Sequence, residues 1–167
     1  ERETRPMDLH RVTAEWNRAA DLPDPEATAL IHPSAMSGPD AYEASGEHQA
    51  AEVGALVEPG AYVVDFGRVA MHMRRDVDLV GVDASPVMLG RYRARMGADA
   101  MVLQSDGVDG MLDGLGVDLV YSWAVFIHHT HADGIELVCG LARAVRPGGR
   151  LALQIPLYEQ RSEGRAW

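Results

Sequence analysis

The chain has 167 residues, of which 47% are hydrophobic and 24% are charged, a composition typical of a single soluble globular domain. Its net charge of −10 would repel a phosphate backbone, and no apolar run is long enough to span a bilayer, so we expect neither a nucleic-acid partner nor a membrane. The single cysteine, Cys139, excludes an internal disulfide, and the first residues lack the apolar stretch of a signal peptide. We therefore expect a cytoplasmic protein.

The first 60 residues predict a helical region. Apolar residues recur at helical spacing over residues 9–20, and prolines then interrupt residues 21–40. A second helix is predicted over residues 41–57, stopped by Pro59 and Gly60.

From residue 61 onwards, short apolar strands alternate with helices. Ser85 is predicted to cap one of these helices, with Pro86 at its first position. This alternation predicts a parallel sheet covered by helices on both faces. Strands are predicted over residues 61–66, 79–83, 100–104, 117–122 and 150–155, and helices over residues 68–75, 86–96 and 132–145.

Polar residues follow the predicted strands where each strand ends. The first three strands end at or near Asp65, Asp83 and Asp106, and the fourth ends at Ser122 and Trp123. Because right-handed crossovers place the carboxyl ends of parallel strands at one edge, we expect these residues to converge where such sheets bind ligands.

Five motifs occur in a fixed order: VVDFG at 63–67, VGVDASPVML at 80–89, QSDG at 104–107, VDLVYSWAVFIHH at 117–129 and ARAVRPGGRLALQIP at 142–156. Together they resemble the class I S-adenosylmethionine-dependent methyltransferases over residues 42–156. The resemblance implies an α/β, three-layer Rossmann-like methyltransferase fold with a mostly parallel sheet. As one domain, the chain would comprise N-terminal helices (1–60), a Rossmann-like core (61–156) and an incomplete C-terminal part (157–167).

The same resemblance implies S-adenosylmethionine as the cofactor and methyl transfer to a small-molecule acceptor. Asp83, as an exposed strand-end carboxylate, would accept hydrogen bonds from the two ribose hydroxyls. Asp106 would accept from the adenine amino group, although an Asp-Gly pair is also typical of a turn. Asp65 would orient the glycine loop and the methionine moiety. The full set of expected cofactor contacts is Tyr42, Asp65, Gly67, Asp83, Ala84, Met88, Asp106, Gly107 and Trp123, with core packing an equal alternative for Met88.

Aromatic and histidine residues follow the end of the fourth strand, and a further aromatic residue, Tyr42, lies in the N-terminal region. Tyr42, Trp123 and Phe126 are candidates to face the sulfonium, with core packing favoured for Phe126. His128 is the candidate general base for the acceptor proton. The alternative is that His128 or His129 caps the next helix or packs structurally, although Thr130 is the commoner type of cap. We expect no metal site at these histidines, because a further set of ligands at the required spacing is lacking.

The sequence departs from the family in two places. Residues 68–71 read RVAM where the family has two more glycines, and Asp83 follows Gly67 by 83 − 67 = 16 residues rather than about 20. Only a dozen residues follow the last predicted strand. Either the fold is truncated, or stretches of a longer chain are missing from this sequence. We favour the second alternative, which predicts a break in the polypeptide chain between Gly67 and Arg68.

These departures keep two other functions open. One is a non-catalytic, methyltransferase-like binding module. The other, less favoured, is an NAD-dependent oxidoreductase, because the sequence lacks the G-x-G-x-x-G motif typical of that class. The acceptor, the methylated atom and the oligomeric state are not encoded in any motif.

Overall fold

The computed structural model describes residues 39–66, 72–73 and 76–155, together with Ala14 and Asn17. A 3₁₀ turn, Phe126–His128, follows the fourth strand. The regular elements in chain order are α1 (Pro39–Gly54), β1 (Tyr62–Phe66), β2 (Asp78–Asp83), α2 (Pro86–Met96), β3 (Met101–Gln104), β4 (Val117–Ser122), α3 (His131–Ala144) and β5 (Val145–Leu153).

The five strands form one sheet in the order β3-β2-β1-β4-β5, and every neighbouring pair is parallel. The strand order reverses between β1 and β4, the position at which parallel α/β sheets bind ligands beyond the carboxyl ends of their strands. This arrangement confirms the predicted Rossmann-like fold.

Alternating side chains of the strands form two apolar cores, one on each face. Val64, Val80 and Val120 pack with Leu137 and Leu141 of α3 on one face. The opposite face carries a second core against α1, which contains Val63, Leu119, Ala50 and Val53. Both faces of the sheet are therefore covered, which explains the continuous apolar strands in the sequence.

Helix α2 begins as its sequence predicts, because Ser85 accepts a hydrogen bond from the Met88 N–H at 3.2 Å and Pro86 occupies the first turn. The helix packs on the α1 side of the sheet. A Cβ on Gly81 would lie 2.6 Å from the Tyr92 ring, so the glycine lets this ring rest on the β2 backbone.

The fifth strand differs from its prediction. It begins at Val145, directly after α3, and contains the Pro147-Gly148-Gly149 sequence that predicted a turn before residue 150. The pairing with β4 shifts between Val117 and Leu119, so this sequence forms a bulge within the strand. A Cβ on Gly149 would lie 3.0 Å from carbonyl oxygens of β4, which explains the glycine there.

Several predictions fall outside the described residues. They include most of the helices at 9–20 and 68–75, the break between Gly67 and Arg68, and the C-terminal part after residue 155. Ala14 and Asn17 are helical, in agreement with the first of these helices. Within the described ranges, every helix is too short or too polar to cross a membrane.

Candidate functional site

The carboxyl edge of the sheet brings the predicted strand-end residues together. Asp65 on β1 is in register with Gly81 on β2 and with Tyr121 on β4, and Asp83 on β2 is in register with Gln104 on β3. The three predicted aspartates therefore follow adjacent strands on one side of the switch in strand order.

Asp83 is held by the turn that starts α2. Its Oδ1 accepts a hydrogen bond from the Ser85 N–H at 2.7 Å, while Oδ2 has no hydrogen-bond partner among the described residues. The side chain is largely buried, not exposed as the sequence suggested. Burial raises the pKa of Asp83 to about 6, and the Ser85 N–H only partly offsets this by favouring the ionised form.

Asp106 stabilises a compact loop after β3. Its Oδ1 accepts hydrogen bonds from the Val108 and Asp109 N–H groups, both at 2.8 Å. The turn role that the Asp-Gly pair predicts is therefore present. Oδ2 has no partner among the described residues, so the same carboxylate keeps one oxygen for a ligand.

The Asp106 loop is braced from two sides. Ser105 donates to Asp109 at 2.7 Å and accepts from the Gly107 N–H at 3.0 Å. On the other side, a Cβ on Gly140 of α3 would lie 1.7 Å from the Gly107 carbonyl oxygen. The absence of a side chain at Gly140 thus lets helix and loop touch, a contact that no local sequence pattern indicates.

Asp65 lies in a fully buried position between two tyrosines. Tyr121, its register partner, is also fully buried, and Tyr92 packs on Gly81 at the same level of the sheet. Burial, followed by the negative charge of Asp65, raises the pKa of both Tyr92 and Tyr121. Asp65 therefore lies at the base of the site, beneath the solvent-facing part of the edge.

The other predicted cofactor contacts lie at the same edge where the structure describes them. The Ala84 carbonyl accepts from the Gln104 side chain at 3.2 Å, and Met88 is half-buried in the first turn of α2. Gly67 and the side chain of Tyr42 lie outside the described residues, although the backbone of Tyr42 belongs to α1.

The segment after β4 leaves the sheet through a strained backbone. Ala124 has φ 58°, a left-handed conformation that is uncommon for a residue with a Cβ. Its N–H donates to the Gln154 Oε1 at 2.9 Å, and the Gln154 N–H donates to the Ser122 carbonyl at 2.9 Å. Gln154 therefore fixes the direction in which the half-buried Trp123 and the residues after it leave β4.

The histidines follow on a 3₁₀ turn. Thr130 caps α3 and forms a capping box with Asp133, so the interpretation that His128 or His129 caps this helix is wrong. Partial desolvation, and secondly the neighbouring His129, lower the pKa of the exposed His128. Desolvation also lowers the pKa of His129, although Asp133 acts in the opposite direction. In the described part of the chain, no three His, Cys, Asp or Glu side chains form a metal-binding group.

An open apolar groove of about 260 Å³ lies beside this turn. Phe126 contributes to it but is mostly buried in the core, as its sequence context favoured. Ile135 and Ile155 are each about half exposed along it. The groove is lined by Phe126, His129, Thr130, His131, Gly134, Ile135, Val138, Cys139 and Ile155.

The parallel sheet, its switch point and the aspartates at its carboxyl edge define the class of protein. They match the Rossmann-like fold of class I methyltransferases, the class whose cofactor is S-adenosylmethionine. Independently, the sequence model of the methyltransferase domain family matches residues 65–149, just over half of the chain. The chain belongs to this family.

Solved structures with the same fold agree with this assignment. The complex of the Haloferax volcanii methyltransferase activator Trm112 with a protein assigned as a methyltransferase matches at 28% identity and a TM-score of 0.58. The matched region covers 74% of this chain and 58% of the Haloferax volcanii chain. The S-adenosylmethionine-bound amino pentose methyltransferase CalS10 from Micromonospora echinaspora matches at 23% identity and a TM-score of 0.59, covering 72% and 58%.

A third match is a TehB-like S-adenosylmethionine-dependent methyltransferase from Corynebacterium glutamicum, at 22% identity and a TM-score of 0.53, covering 65% of this chain and 60% of that one. No curated protein sequence matches the chain. The chain thus spans about three fifths of the length of these structures.

Proposed function

We propose that the protein transfers the methyl group of S-adenosylmethionine to a small-molecule acceptor in the cytoplasm. The observation that carries this proposal is the position of Asp65, Asp83 and Asp106 at the carboxyl ends of three adjacent strands, beside the switch point of a methyltransferase-family sheet. Carboxylates suit this cofactor, since they accept hydrogen bonds from its hydroxyl and amino groups and attract its positive charge.

Each aspartate has one proposed role. Oδ2 of Asp83, which has no hydrogen-bond partner in the described part of the chain, accepts from the ribose hydroxyls, while Oδ1 stays on the Ser85 N–H. Oδ2 of Asp106, also without a partner among the described residues, accepts from the adenine amino group, while Oδ1 holds its own loop. Asp65, buried below them, orients the segment that begins at Gly67 around the methionine moiety. The remaining proposed contacts are Tyr42, Ala84, Met88, Gly107 and Trp123.

The transfer step needs little from the protein beyond alignment. A lone pair on the acceptor forms a bond to the methyl carbon, and the carbon–sulfur bond breaks with its electrons passing to sulfur. The acceptor then loses a proton, and we assign His128 as the base that takes it up. Its lowered pKa favours the neutral imidazole near pH 7, the form that takes up a proton. Most of the rate would come from holding acceptor and methyl group in line.

The small size of the acceptor is the least constrained part of the proposal. CalS10 acts on an amino pentose. The apolar groove beside His129, at about 260 Å³, is slightly smaller than the roughly 300–1,000 Å³ of typical ligand pockets, so it would fit only a small ligand. In contrast, the Haloferax volcanii structure contains an activator protein. A protein partner of that kind is therefore the alternative to a chain that acts alone on a metabolite.

Ligand-dependent thermal unfolding tests the proposal. With S-adenosylmethionine or S-adenosylhomocysteine at a hundredfold excess over its Kd, we expect about 2.7 kcal/mol of stabilisation, or about 5–10 °C in Tm. NAD at the same concentration should give no shift. A shift with NAD alone would support the oxidoreductase instead and exclude the methyltransferase.

The second candidate, a non-catalytic binding module, is favoured by one observation. Asp83 follows Gly67 by only 16 positions, which leaves little chain for a glycine loop. A chain that shows no shift with either methyl-donor ligand and no shift with NAD would support this candidate.

A further inference from the structure

Ser85, at the carboxyl edge of the sheet, connects three parts of the molecule: the end of β2, the start of α2 and the N-terminal part of the chain. Its N–H holds Oδ1 of Asp83 at 2.7 Å, and its hydroxyl oxygen accepts from the Met88 N–H at 3.2 Å. The hydroxyl proton is donated to Oδ1 of Asn17, which precedes it by 68 residues. Ser85 itself is fully buried.

The contact with Asn17 determines how the Ser85 hydroxyl is used. A serine hydroxyl has one proton and two lone pairs, and its rotation is set by its partners. Because the proton is directed to Asn17, a lone pair is left to face the Met88 N–H at the start of α2. A buried hydroxyl without an acceptor would carry a desolvation penalty and would turn towards another partner.

We propose that Asn17 is a positioning residue for the ribose-binding carboxylate, acting on Asp83 through Ser85. This inference rests on the proposed role of Asp83 towards S-adenosylmethionine. Asn17 comes from the N-terminal part of the chain, outside the range matched by the family model, so it ties that part to the cofactor edge. It would not touch the reacting atoms, and its effect would be on affinity for the cofactor.

The test compares cofactor binding by variants of the full chain, measured by isothermal titration calorimetry with S-adenosylmethionine. Asn17→Ala removes the acceptor, and we expect Kd to rise about tenfold, the effect of one lost hydrogen bond. Ala14→Ser alters an exposed helical residue three positions earlier in the chain and should leave Kd unchanged. Where turnover is measured, the KM for S-adenosylmethionine should rise in Asn17→Ala while kcat stays constant.

A double-mutant cycle separates positioning from a general loss of stability. If Asn17 acts through Asp83, then Asn17→Ala should have no further effect on Kd in an Asp83→Ala background. An equal loss in both backgrounds would show that Asn17 acts independently of Asp83 and would overturn the inference. An unchanged Kd in Asn17→Ala alone would overturn it as well. A wild-type protein that fails to bind S-adenosylmethionine would instead overturn the proposed function.

Discussion

The two halves of the carboxyl edge are held together differently. The adenosine side, named for its proposed ligand, comprises residues 83–88 and 104–109, and its two aspartates are held by hydrogen bonds to residues two or three positions away, such as Asp83 to Ser85 and Asp106 to Asp109. The acceptor side, likewise named for its proposed ligand, comprises residues 122–135 and 154–155. Its backbone is held by a contact across 30 residues, from Ala124 to Gln154, and it contains an open apolar groove.

The two sides therefore depend on different parts of the chain. On the adenosine side, near neighbours in the chain hold the two carboxylates, and Asn17 adds one distant contact through Ser85. The acceptor side takes its shape from the way β4, α3 and β5 meet, so a ligand bound there would depend mainly on distant segments. Substitutions on the adenosine side should therefore change cofactor affinity, whereas those on the acceptor side should change turnover.

The largest expected effect is on the acceptor side. His128→Ala should lower kcat by about 100-fold, because it removes the base that we propose takes the acceptor proton, and should leave the Kd for S-adenosylmethionine unchanged. Steady-state kinetics together with calorimetry measure both quantities. His48→Ala, which removes an exposed histidine of α1, serves as the control and should retain full activity. A parallel loss of Tm and activity in His128→Ala would show that His128 is structural.

On the adenosine side, Asp83→Ala should weaken cofactor binding by about 10- to 100-fold, the cost of losing a charged hydrogen-bond acceptor. The fold should tolerate the change, since it also removes a carboxylate whose ionised form is disfavoured by burial. Asp78→Ala, at the exposed start of the same strand, is the matched control. Calorimetry would contradict the assignment if both variants bound S-adenosylmethionine as tightly as the wild type.

The contact between α3 and the Asp106 loop links the two sides, and Gly140→Ala tests it. The added Cβ would overlap the Gly107 carbonyl oxygen, so we expect a loss of about 2 kcal/mol in the free energy of unfolding and weaker cofactor binding. Gly134→Ala, in the same helix, meets its nearest atom only at 3.7 Å and should stabilise the protein by about 1 kcal/mol. Urea denaturation of both variants measures the difference, and equal effects would exclude a steric role for Gly140.

Most of the adenosine side was predictable from the sequence, and less of the acceptor side. The strand patterns, the Ser85 cap and Asp83 form a local signal, so α2 and the end of β2 lie where the sequence predicts. The contacts of Gln154 with Ala124 and of Asn17 with Ser85 join residues far apart in the chain, and no periodicity encodes them. The roles assigned to the individual site residues remain predictions.

The smallest expected effect is a pH dependence confined to the adenosine side. Burial raises the pKa of Asp83 from 3.8 to about 6, so the folded, ligand-free protein binds a proton in a range where the unfolded chain has already lost it. This group therefore makes the ligand-free protein more stable as the pH falls from above 6 to below 4.

Cofactor binding should show the opposite trend, because the ribose hydroxyls need the ionised carboxylate as acceptor. We expect affinity to fall about tenfold between pH 7 and pH 5, as protonation competes with the ligand. Calorimetry across this range measures the trend, which should disappear in Asp83→Ala, and a wild-type affinity that is constant from pH 7 to pH 5 would contradict the ribose role.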